Sequence, residues 1–143
     1  MSKKILSCGL VCYPESIPNL ENFFSELEKN IGVGFKAILH DKDKNKDGEL
    51  KKPHYHILFQ GVLGSAEWKR VYALSAVKHH VDFYTADDAE KYLTHEGKTD
   101  KFHYSSDDVI TSSTWDADTW ENILEKEKEL KAKSEYSCLF SIF

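Results

Sequence analysis

Hydrophobic positions change their period along the chain, and the changes predict its elements. Residues 5–13 form a largely apolar run that reads as a β-strand and ends at Pro14, which has no N–H to give to a ladder. Leu20, Phe23, Phe24 and Leu27 then recur at helical spacing within 17–27, and Gly32 and Gly34 punctuate the end of that helix. Residues 35–40 predict a second strand, 41–53 a charged loop containing Gly48, and 54–62 a third, alternating strand. Ser65 as N-cap, with Trp68, Val71, Tyr72 and Leu74 in the apolar stripe, predicts a helix over 65–77. A strand over 79–84 follows, then a short helix opened by Thr85 and Asp88 and closed after His95 by Gly97. The order is βαββαβα, which predicts an α+β fold: a compact sandwich with a central, mainly antiparallel sheet covered by helices.

Beyond this unit, residues 102–111 suggest an edge strand, and Ser113 or Thr114 caps a last helix with Trp120, Ile123, Leu124 and Leu130 on one stripe. Its other faces are charged, with Glu127–Lys131 and Glu129–Lys133 spaced as i,i+4 pairs of a solvated surface. Residues 137–143 form a short apolar tail. The expected division is therefore a unit over 1–112 and a C-terminal amphipathic helix with its tail over 113–143.

Composition narrows the function classes. At 143 residues, with 41% hydrophobic and 13% aromatic content, the chain is long enough to bury a core without disulfide staples. No apolar run approaches ~18 residues, and the N-terminus lacks a secretory pattern, so the expectation is a cytoplasmic protein with no membrane contact. A net charge of −5 argues against a broad basic face and confines any nucleic-acid contact to a local patch. Cys8 and Cys12, about 13 Å apart along one strand, read as small buried hydrophobes.

Candidate chemistry centres on His54 and His56, two residues apart in a strand and so on one face, roughly 6.6 Å apart along the backbone. The preceding strand ends in His40, and the loop after it carries Asp41 and Asp43. Antiparallel pairing of the two strands would bring His40 and Asp43 toward His54 and His56. Three imidazoles and a carboxylate suit Mn²⁺ or another first-row divalent ion, with Mg²⁺ as the second choice. The run Asp43-x-Asn45-x-Asp47-Gly48 imitates the start of an EF-hand calcium loop, but His54 stands where a bidentate Glu is needed and the flanks read as strands, so Asp47-Gly48 reads as a turn dipeptide. Lys42, Lys44, Lys46, Lys51 and Lys52 crowd the same loop as phosphate contacts, alternating with acidic residues.

Four separated stretches, Tyr13-Pro14-Glu15-Ser16-Ile17-Pro18, His40-Asp41-Lys42-Asp43-Lys44, Pro53-His54-Tyr55-His56-Ile57-Leu58-Phe59 and Tyr92-Leu93-Thr94-His95-Glu96, resemble the rolling-circle plasmid replication initiators of the HUH endonuclease superfamily. The resemblance covers most of residues 5–105. It implies that 1–112 is a nicking domain, that His40, Asp43, His54 and His56 hold the metal, and that Tyr92 is the single catalytic tyrosine. Tyr84 and Tyr104 are the alternative nucleophiles. His95 and Glu96 are candidates for a proton relay, and Lys98 for a phosphate contact.

The implied activity is metal-dependent, site-specific nicking and rejoining of single-stranded or hairpin origin DNA through a 5′-phosphotyrosine link, freeing a 3′-hydroxyl primer. No G-x-x-x-x-G-K-[ST] run is present, so a host helicase and a host DNA polymerase are the implied partners. A metal-stabilised DNA-binding or assembly module without nicking, and a relaxase or transposase of the same superfamily, are the alternatives.

Overall fold

The computed structural model describes residues 4–94 and 104–141. Five strands, β1 (Ser7–Cys12), β2 (Phe35–His40), β3 (His54–Phe59), β4 (Val81–Phe83) and β5 (Ile110–Thr111), form one open sheet in the order β4-β1-β3-β2-β5. Every neighbouring pair is antiparallel. Four helices cover it: α1 (Phe23–Asn30), α2 (Ser65–Ser75), α3 (Ala86–Thr94) and α4 (Ala117–Ser141). The α+β class and the βαββαβα order are those expected from the sequence.

Side chains alternate across a strand, so the sheet builds two cores. On one face Cys8, Leu10, Cys12, Phe35, Ala37, Ile57 and Phe59 pack with Phe23, Leu27, Trp68 and Val71 of α1 and α2. On the other, Ile38 and Leu58 pack with Ala86, Ala89, Leu93 and Trp120 of α3 and α4. Burial pushes the thiols of Cys8 and Cys12 up to about 12, which leaves them as inert core groups.

Several boundaries differ from the sequence expectation, each for a local reason. Helix α1 begins at Phe23 instead of residue 17: Ile17, preceding Pro18, is held extended at φ −73° and ψ 120°, and a 3-10 turn over Leu20–Asn22 leaves Leu20 exposed. The cap of α2 is Gly64 instead of Ser65, because Glu67 accepts the Gly64 N–H at 3.0 Å and reaches the Gly32 N–H at 2.7 Å as well. The last helix is capped by Asp116, which accepts both the N–H and the hydroxyl of Thr119, at 3.1 and 2.8 Å. Ser113 is occupied by Glu28, and Ser112 accepts the N–H of Phe35.

Helix α4 runs on through Ser141, into the stretch expected as a tail, and Leu130 is 67% exposed instead of lying on the buried stripe. Glu127 turns away from its expected helical pairing to accept the first N–H groups of α3, from Ala86 at 2.6 Å and Asp87 at 3.1 Å. Of the edge strand expected over 102–111, residues 102 and 103 lie outside the described residues, and within 104–111 the strand is confined to Ile110–Thr111. Among the described residues, no helix is long and apolar enough to cross a membrane.

Gly9, in β1, fixes how closely α3 lies on the sheet. A Cβ there would sit 2.6 Å from the Ile57 carbonyl oxygen, 3.1 Å from the Phe83 ring and 3.3 Å from the Tyr92 ring. Gly9→Ala is expected to cost about 1–3 kcal/mol in chemical denaturation, as an overpacked site does.

Candidate functional site

The register of β2 and β3 sets His40 directly opposite His54 and places His56 two residues further along the same face. The intervening loop folds into a small hairpin. Asn45 accepts from Gly48, Asn45 N–H donates to Glu49, and Gly48 takes a left-handed φ of +86°, the conformation a three-residue hairpin loop needs. The EF-hand imitation is thereby accounted for as a turn. Its stem returns Asp43 over the strand ends, where its carbonyl accepts the Lys51 N–H at 2.7 Å.

Four side chains converge as a result. One potential ligand atom from each of His40, Asp43, His54 and His56 lies within 4.8 Å of the others. Asp43 Oδ2 is 3.3 Å from His40 Nδ1 and 3.2 Å from His54 Nε2. The opposite nitrogens of both rings face backbone carbonyls: His40 Nε2 donates to Leu93 at 2.5 Å and His54 Nδ1 to Lys52 at 2.7 Å. A carbonyl can only accept, so each neutral ring directs its lone pair at the carboxylate. Either protons or a cation must therefore occupy the space between these three groups. Carbonyl-anchored imidazoles converging on a carboxylate fit a divalent metal, for which such anchoring sets the tautomer and the ring orientation.

His56 links this cluster to Tyr92 on α3. Its ring centroid is 3.9 Å from that of His40 and 4.5 Å from that of Tyr92. The Tyr92 hydroxyl is buried and has no hydrogen-bond partner among the described residues, and burial holds its phenol above the ordinary tyrosine range. Tyr84, the first alternative nucleophile, is 48% exposed just past β4.

Tyr104, the second alternative, has a different place. Its ring stacks on His40 with centroids 4.2 Å apart and an interplanar angle of 4°, and its hydroxyl donates to Asp43 Oδ1 at 2.8 Å while accepting the Lys42 N–H at 2.9 Å. It thus turns Oδ2 of Asp43 toward the histidines. No sequence signal announced this role, because 61 residues separate the partners. Tyr104→Phe is expected to weaken Mn²⁺ binding about 10-fold in calorimetric titration, as loss of a group orienting a metal ligand does.

Of the lysines, Lys51 and Lys52 line a groove of about 470 Å³ together with Tyr13, His54 and His56. Lys42, Lys44 and Lys46 are exposed on the hairpin, with the Lys42 ammonium 3.5 Å from Asp41. His95, Glu96 and Lys98 lie outside the described residues.

Residues 2–118 match the family described as plasmid replication protein, origin binding domain. Among curated proteins, the replication protein RepB of Lactiplantibacillus plantarum is 32% identical over 117 residues, covering 78% of this chain and 50% of the relative. A replication protein of Staphylococcus aureus is 28% identical over 112 residues, covering 76% of this chain and 54% of the relative. The chain spans about half the length of these relatives.

Proposed function

Because the chain belongs to the plasmid replication protein origin-binding domain family, we propose that it nicks and rejoins one strand of origin DNA to start rolling-circle replication. The observation that carries this reading is the placement of Tyr92 beside His56, at the rim of a four-residue ligand set that opens onto a lysine-lined groove.

Tyr92 Oη attacks a phosphodiester phosphorus exposed in a hairpin loop or melted strand. The Oη–P bond forms, the bond from phosphorus to the 3′ oxygen breaks, the phenol gives up its proton and the departing 3′ oxygen takes one up. The product is a 5′-phosphotyrosine and a free 3′-hydroxyl. Reversal by an incoming 3′-hydroxyl rejoins DNA without ATP.

A divalent ion held by His40, Asp43, His54 and His56, Mn²⁺ in the first instance and Mg²⁺ in the second, supplies polarisation of the phosphate and stabilisation of the charge that develops on it. Lys51 and Lys52 hold the phosphates beside the cluster, with Lys42, Lys44 and Lys46 as outer contacts. Residues 1–112 form the nicking unit, and the first turns of α4 close its second core through Trp120. A host polymerase extends the 3′-hydroxyl and a host helicase opens the duplex, which places the protein in the cytoplasm.

The test is incubation with a pool of labelled single-stranded oligonucleotides and Mn²⁺, followed by denaturing electrophoresis. A shifted, covalently labelled protein band is the expected result. Cleavage without that band would make the protein a hydrolytic nuclease, and metal-dependent binding without cleavage would make it a DNA-binding module.

A further inference from the structure

The lysine-lined groove does not end at the histidines. A second groove of about 300 Å³ lies next to it, lined by Tyr13, Val11, His79, His80 and Tyr92. The two share Val11 and Tyr13. Val11 pairs with His56 across the β1–β3 register, so the shared floor lies where the ligand cluster meets the candidate nucleophile. A strand whose phosphate sits where the two grooves meet, against His56 on one side and Tyr92 on the other, therefore extends one way past Lys51 and Lys52 and the other way past His79, with Tyr13 lining both directions.

Tyr13 is a partly exposed aromatic ring at this junction. It stands just beyond β1, its carbonyl accepts the Ser16 N–H at 2.9 Å, and the following Pro14–Ser16 turn locks the chain behind it. The side chain is 36% exposed in a protein whose other face buries its aromatics closely. The Lys52 ammonium lies 4.8 Å from the ring centroid and forms an ion pair with Glu15, while the Lys52 carbonyl anchors His54. One short segment thus joins an aromatic face, a cation for phosphate and a ligand imidazole. Proteins that hold single strands use this pairing of stacking surface and cation, because every base offers a π-face.

We infer that the two grooves form one channel for a single DNA strand, and that Tyr13, at their junction, is the platform on which the nucleobase beside the scissile phosphate stacks. The inference rests on the single-strand reading above and adds a base-binding subsite to it.

The test measures fluorescence anisotropy of the full chain, at fixed Mn²⁺, with an oligothymidylate of about 12 nucleotides and with a strand of equal length made of abasic sugars. Tyr13→Ala is expected to weaken oligothymidylate binding about 10-fold, to leave binding of the abasic strand unchanged, and to leave Mn²⁺ affinity unchanged. Tyr13→Phe and Tyr13→Trp are expected to retain wild-type binding of oligothymidylate. Equal binding of oligothymidylate by wild type and Tyr13→Ala would overturn the stacking platform while leaving the nicking reading intact. An equal loss on the abasic strand would also overturn it, by showing that Tyr13 acts only through the position of Lys52. If wild type bound no single strand at all while its metal affinity stood, the single-strand reading and the subsite would fall together.

Discussion

Tyr92→Phe is expected to form no covalent adduct with DNA while becoming slightly more stable. The substitution removes one oxygen and keeps the ring that packs against His56 and Phe83, with centroids 4.5 and 4.9 Å away. That oxygen is buried without a hydrogen-bond partner among the described residues, an arrangement that typically costs about 1–3 kcal/mol. Its removal should raise the melting temperature by about 2–12 °C in scanning calorimetry. Opposite signs for stability and activity are characteristic of a group retained for chemistry. Oligonucleotide and Mn²⁺ affinities should stay at wild-type values, since no ligand or lysine is touched. A variant that still formed adducts at the wild-type rate would make Tyr92 a packing residue and turn attention to Tyr84→Phe. A variant that lost both activity and stability would mean that the hydroxyl supports the fold.

His56→Ala is expected to lower Mn²⁺ affinity by more than about 100-fold and to abolish adduct formation with little change in the apo fold. His56 is the clearest of the three histidines to remove. His40 is fully buried and donates to the Leu93 carbonyl, so His40→Ala would open a cavity and remove that bond from the core. His54 anchors the loop end through the Lys52 carbonyl. His56 is half-buried, beside the groove.

Metal linkage gives a readout independent of activity. Mn²⁺ at about 100 times its dissociation constant should stabilise the wild type by about 2.7 kcal/mol and His56→Ala hardly at all. A wild type whose melting temperature ignores Mn²⁺ would mean that protons, instead of a cation, hold the Asp43 cluster together.

Much of the fold and part of the site can be read from the chain alone, and the boundary between what can and cannot has a physical origin. Periodicity records which face of its own element a residue occupies. It therefore fixed the strands ending in His40 and beginning with His54, the common face of His54 and His56, and the burial of Cys8 and Cys12. Turn chemistry records local φ, which is why Asp47-Gly48 was legible as a turn. Neither records what lies across a gap of thirty or more residues. The donation from His40 to Leu93, the hold of Tyr104 on Asp43, the approach of Tyr92 to His56 over Gly9 and the junction of two grooves at Tyr13 exist only once α3 and the segment that carries Tyr104 dock on the sheet. Even helix caps followed that rule. Thr85 capped its own helix, as local sequence indicated, but Gly64 and the first turn of α3 were completed by carboxylates whose other bonds are tertiary or whose position is set by packing. Local sequence determined which residues could serve, and the packing of α3 and α4 on the sheet decided which of them meet, because contact between distant segments depends on the closest-packed arrangement of the whole core and not on any pattern within one segment.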